Sequence, residues 1–174
     1  MVDPGVATRP AGDTLRQGVP QILVVGYGNT LRGDDGLGPF IVEGLQDVAA
    51  VCEGDVQTVV LPQLDVTLAS GMNDVTLVIF VDAREDADKE SVKVQRVFPA
   101  IAPLNLRHTS HALGIPDLLR MALDWFGSRP ACYAVMPKGY DFSLSENISP
   151  NAQRAARQAR KKIVEIIRRR PMAS

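Results

Sequence analysis

Cysteine, histidine and tryptophan are scarce in this chain. Its 174 residues include two cysteines, two histidines and one tryptophan. Cys52 and Cys132 stand far apart with no C-x-x-C, which excludes a zinc finger and a thioredoxin-like centre. Two reduced thiols in a cytoplasmic protein are the expectation. No apolar run approaches the roughly 20 residues of a membrane span, so a membrane partner is excluded as well. The first twenty residues, "MVDPGVATRPAGDTLRQGVP", have no apolar core and do not form a secretory signal. Their proline, glycine and polar content predicts a loosely ordered leader over 1–20, followed by a single domain over 21–174.

Net charge is also nearly absent, at -1, but it is unevenly spread. From Asn151 onward there are eight Lys and Arg and one acid, Glu165, whereas residues 1–150 carry eleven Lys and Arg against nineteen acids. An acidic body with one basic terminal helix argues against a nucleic-acid partner.

What is present is alternation of strand and helix. "QILVVG" (21–26) reads as a buried parallel strand ended by glycine. "LGPFIVEGLQDVAA" follows, with apolar residues at 37, 40, 41, 45 and 48 on one helix face. "VQTVVLP" (56–62) is a strand closed by Pro62, and "LDVTLASGM" a short helix. "VTLVIFVDA" (75–83) is the most apolar segment and the expected central strand. "SVKVQRVF" (91–98) alternates as a half-exposed or antiparallel strand should. A helix over 115–126 with Pro116 in its first turn, a strand over 131–137 and a last helix with Ser149 as N-cap complete the pattern. The expected fold is α/β, a three-layer sandwich with a mostly parallel central sheet flanked by helices.

In such sheets ligands bind beyond the carboxyl ends of the strands. The first such end is "VVGYGNTLRGDDGLG" (24–38), a glycine turn. A dinucleotide fingerprint requires a third glycine where Leu31 stands, and no G-K-[ST] is present. Adjacent Asp34 and Asp35 would repel a pyrophosphate, which needs N–H groups and positive field. Taken alone, the pair reads as a turn plus an N-cap, since Asp-Gly is a strong turn dipeptide. The central strand ends on Asp82, for which a cap and a ligand or catalytic role are equal readings. If the first and third strands are neighbours, Asp35 and Asp82 meet at one sheet edge, and two carboxylates without a nearby cation suit a metal ion. The histidines, His108 and His111, precede a helix. Surface and capping roles are the commoner reading of such residues, but one imidazole with two carboxylates also makes a set for zinc or nickel. No G-x-S-x-G occurs, which places serine chemistry well below the metal reading.

"VVGYGNTLRGDDGLG", "VIFVDA", "SHALGIPDLL" and "LSENIS", in this order, together resemble the hydrogenase maturation endopeptidases, over nearly everything from Gln21 to the last helix. The resemblance implies an α/β sandwich enzyme that removes a C-terminal extension from the large-subunit precursor of a nickel–iron hydrogenase after nickel insertion. It implies that Asp35, Asp82 and His111 are the metal-binding and catalytic residues. The metal is expected to be nickel presented by the substrate, with zinc-like ions able to substitute. Many relatives carry Glu where Asp35 stands, one methylene longer. Gly26, Gly28 and Asn29 of the first motif, and Asp65 in "LPQLDVTLA", are expected to contact the substrate, with a helix-capping role for Asp65 an equal alternative. His108 matches no family ligand. A cytoplasmic monomer is expected. Two rival functions are a non-proteolytic nickel-binding chaperone or scaffold for hydrogenase assembly, and a germination-type protease with another substrate.

Overall fold

Five strands make one sheet in the computed structural model, which describes residues 21–45, 55–102 and 113–169. They are β1 (Ile22–Tyr27), β2 (Val56–Leu61), β3 (Leu77–Val81), β4 (Val92–Arg96) and β5 (Ala131–Pro137), in the spatial order β2-β1-β3-β5-β4. The first four in that order run parallel and β4 is antiparallel to β5, as the alternation of "SVKVQRVF" predicts. Every residue of β3 is buried, and β1 is buried from Ile22 to Gly26. Both faces of these strands are therefore covered, which is why they read as unbroken apolar runs.

Helices α1 (Leu37–Glu43) and α4 (Pro150–Arg168) cover one face. They pack on Ile22, Val24, Ile79, Val81 and Val135. The short α2 (Leu68–Gly71) and α3 (Ile115–Phe126) cover the other, on Leu23, Val25, Val78 and Phe80. This is the expected three-layer sandwich. α3 has the bounds read from the sequence. Asp117 accepts from the Gly114 N–H at 3.0 Å at its start, and Gly127 ends it at φ +67°.

The first helix departs from expectation. It stops at Glu43, and Phe40, placed on the apolar face by periodicity, is exposed. Arg160 of α4 accounts for this: its Nη2 and Nε donate to the carbonyls of Phe40 and Ile41 at 2.8 and 3.3 Å, and its guanidinium lies 5.0 Å from the Phe40 ring centre. The helix end is closed by a side chain from another element, and Phe40 serves as a platform for it. Val48, the leader over 1–20, Cys52, His108 and His111 lie outside the described residues.

Candidate active site

The register of β1 on β3 pairs Gly26 with Val81, so the next residues, Tyr27 and Asp82, stand together at the carboxyl edge of the sheet. Asp35 arrives there through the glycine turn. Gly28 has φ +140°, and a Cβ on it would sit 2.0 Å from the Asp35 carbonyl oxygen. Only glycine lets the chain fold back so closely. The turn then tightens into a 3-10 segment, Gly33–Gly36, and the Asn29 N–H donates to Asp35 Oδ2 at 3.1 Å. The Asn29 side chain is occupied locally, accepting from the Leu31 N–H at 2.9 Å.

Asp35 and Asp82 line one cleft of about 750 Å³, with Tyr27, Gly28 and Asp65. Much of the rest of its lining is apolar, with Leu64, Val66, Val97, Ile115 and Met136. Three carboxylates face this space, and no Lys or Arg is among the described residues that line it. Burial raises the Asp82 carboxyl to about 6, and the charge of Asp35 pushes the same way. The neighbouring Tyr27 hydroxyl and Ala83 N–H oppose the rise. Asp65 is exposed, and its carboxyl is held below the ordinary range by hydrogen bonding to Thr67, whose N–H donates to Oδ1 at 2.8 Å. It thus fills a turn position before α2 while also facing the cleft.

Gly26 is placed differently. It is buried where β1 crosses α1, and a Cβ there would lie 2.4 Å from the Gly38 carbonyl oxygen and 2.7 Å from Val42 Cγ2. The close approach that Gly26 and Gly28 permit is therefore one of chain on chain, and only Gly28 lines the cleft. His111 lies outside the described residues, although Leu113, two positions later, lines the cleft. Among the described residues no group of three or more His, Cys, Asp or Glu could hold a metal ion.

Two features of the site escape a reading of the sequence. Asp34, read as a turn residue, is fully buried and accepts from the N–H groups of Tyr140 and Asp141 and from both the N–H and the hydroxyl of Ser149. It fastens the turn that carries Asp35 to the segment entering α4. Tyr27 is the second, the one polar-tipped residue of an apolar strand. That tip at a strand's carboxyl end was its only signal. Elsewhere, a cavity of about 370 Å³ lies between α4 and the starts of β3 and β5, away from the carboxylates.

No protein-family model and no curated protein matches the chain. Solved structures do. The hydrogenase maturating endopeptidase HybD from E. coli is 20% identical with a TM-score of 0.64, over 85% of this chain and 92% of that one. The [NiFe] hydrogenase maturation protease HycI from Thermococcus kodakarensis is 24% identical with a TM-score of 0.60, over 87% and 95%. A hydrogenase 2 maturation peptidase from a Thaumarchaeota archaeon is 23% identical with a TM-score of 0.59, over 84% and 97%. At these identities the likeness is one of fold, and it extends over nearly the whole length of each protein.

Proposed function

We propose that this chain is an endopeptidase that removes the C-terminal extension of a nickel–iron hydrogenase large-subunit precursor. One observation carries the reading: a cleft at the carboxyl edge of the sheet is faced by Asp35, Asp65 and Asp82 with no cation among its described lining residues. Such a cleft attracts a cation and repels a phosphate. The sandwich on which it is built is the fold of solved hydrogenase maturation proteases. On this reading the cation is the substrate's own nickel. Asp35 and Asp82, with His111 from the segment just before Leu113, complete its coordination and so recognise a precursor whose metal is in place.

Peptide hydrolysis then needs a water to lose a proton near the scissile carbonyl. A carboxylate raised toward neutrality by burial suits that task, because a base works best with a pKa near the working pH. Asp82 stands at about 6 before a cation binds. With the cation held on one oxygen its other oxygen would take the proton, and the cation would supply Lewis-acid polarisation of the carbonyl. The apolar lining offers room for the side chains flanking the bond, while Gly28 lines the cleft beside Asp35. The enzyme works as a monomer in the cytoplasm. No helix among the described residues is long and apolar enough to cross a membrane.

The test is mass spectrometry of nickel-loaded precursor before and after incubation with the protein. The expected product is a precursor shortened at its C-terminus, with no shortening by Asp35→Ala or Asp82→Ala. Cleavage that survives both substitutions would overturn the assignment. Equal cleavage of nickel-free precursor would remove metal recognition and leave the proteolysis.

A further inference from the structure

Tyr27 ends a strand whose other side chains are apolar, and packing alone does not call for its hydroxyl. The ring meets Phe80 edge-on, with centroids 6.4 Å apart and planes at 78°, a contact that a phenylalanine would make equally well. A half-buried hydroxyl must still find a partner, because leaving one unmade costs more than the bond is worth. The register sets that partner: with Gly26 opposite Val81, the next side chain beside Tyr27 belongs to Asp82. The hydroxyl interacts with the Asp82 carboxylate from the adjacent strand end, and both residues line the same cleft.

A carboxylate has two oxygens and room for about four donors. The protein sets two donors beside Asp82, the Tyr27 hydroxyl and the Ala83 N–H, and Asp35 accepts one bond from the Asn29 N–H. Hydrogen bonds of this kind set the rotation of a carboxylate before anything binds to it. Partners that orient a metal-binding carboxylate are commonly worth about 10- to 100-fold in metal affinity or activity. A phenol stays protonated, and so remains a donor, at working pH.

We infer that the Tyr27 hydroxyl is the positioning group for Asp82, holding its carboxylate in the rotation that presents an oxygen to the cation and the scissile peptide. The inference rests on the proteolytic reading above. Tyr27 acts through Asp82 and need not touch the substrate itself.

Tyr27→Phe tests it, with Tyr140→Phe as a control that removes a hydroxyl from a ring outside the cleft. Two measurements are made. The first is a double-mutant cycle of Tyr27→Phe and Asp82→Ala in urea unfolding, which needs no substrate. The expected coupling is about threefold or more in the unfolding equilibrium constant. The second is cleavage of nickel-loaded precursor. Here kcat should fall about 10- to 100-fold, KM should stay within about twofold, and Tyr140→Phe should match the wild type.

Additive single effects in the cycle would overturn the contact. A wild-type kcat for Tyr27→Phe, or a parallel loss of kcat, substrate affinity and thermal midpoint, would overturn positioning and leave a packing role. If the wild-type chain shortens no precursor, the proteolytic reading fails and takes this role with it. That result is distinct from the one in which wild type and Tyr27→Phe cleave alike.

Discussion

Asp34 and Ser149 are 115 residues apart in sequence and meet twice: Oδ1 accepts from the Ser149 N–H at 2.7 Å, and Oδ2 from its hydroxyl at 2.8 Å. The same serine oxygen accepts from the Ala152 N–H at 3.3 Å and so caps α4. Two further N–H groups, of Tyr140 and Asp141, reach Oδ2 at 2.7 and 2.9 Å. A single buried carboxylate thus joins the turn bearing Asp35, the loop before α4 and the start of that helix.

Asp34→Asn should therefore destabilise the fold by about 2–4 kcal/mol, since an amide NH₂ would face N–H donors and leave them unpaired. For a domain of this size that is a fall of about 5–15 °C in thermal midpoint. Ser149→Ala, which removes one bond and the cap, should cost only about 1 kcal/mol. Urea unfolding of both variants checks the order. An Asp34→Asn protein as stable as the wild type would show that the hub contributes nothing.

The contact of β1 with α1 gives a second prediction. A Cβ at Gly38 would lie 2.3 Å from the Tyr27 carbonyl oxygen and 2.5 Å from that of Val81. These atoms are backbone and cannot swing aside. Gly38→Ala should cost more than about 2 kcal/mol, as overpacking does, and should displace the strand ends that carry Tyr27 and Asp82. Gly71→Ala, with nothing within 4 Å of the added methyl, should stay within about 1 kcal/mol of the wild type. Thermal unfolding of the two variants side by side is the measurement, and equal midpoints would contradict the packing argument.

The parts of this fold that were legible are those whose causes are local. β3 announces itself because both its faces are buried, and α3 because Pro116 and Gly127 mark its two ends. The meeting of Asp35 with Asp82 was legible only conditionally, on strand order that no single strand encodes. The length of α1 was not legible, because Arg160 sets it from α4. Nor was the burial of Asp34, whose partners lie 106 to 115 residues away. Asp-Gly in a turn looks the same whether its carboxylate meets water or four donors.

Arg160 carries a third prediction. It closes α1 with two hydrogen bonds and a stack on Phe40, all within a helix of seven residues. Arg160→Ala should cost about 1–3 kcal/mol through the lost bonds and the uncovered ring. Arg160→Lys should recover part of this, since lysine keeps a charge and a donor but not the planar fork. Hydrogen exchange should show the loss as faster exchange of the α1 amides relative to those of β3. Uniform exchange across both would instead mean that Arg160 acts on the whole fold.

The fourth prediction concerns the cost of the site itself. The Asp82 carboxyl is raised by burial and by Asp35 to about 6, against about 3.9 in an unfolded chain. A group whose folded pKa is raised stabilises the fold while protonated, fully below about pH 4, and loses that contribution as pH rises through about 6. At about 1.4 kcal/mol per unit, the charged form therefore costs the metal-free protein about 2–3 kcal/mol at pH 7.5. Asp82→Asn removes the charge while keeping an acceptor for Tyr27 or Ala83. It should be about 1–2 kcal/mol more stable than the wild type at pH 7.5 and no more stable at pH 4. The same variant should be inactive, so the position trades stability for a charged group at the sheet edge. Asp35→Asn should narrow the gap between wild type and Asp82→Asn, because one of the two causes of the raised pKa is gone. Urea unfolding at the two pH values decides it. An Asp82→Asn protein less stable than the wild type at pH 7.5 would mean that the carboxylate is well solvated or already paired, which would remove the electrostatic basis for a cation in this cleft.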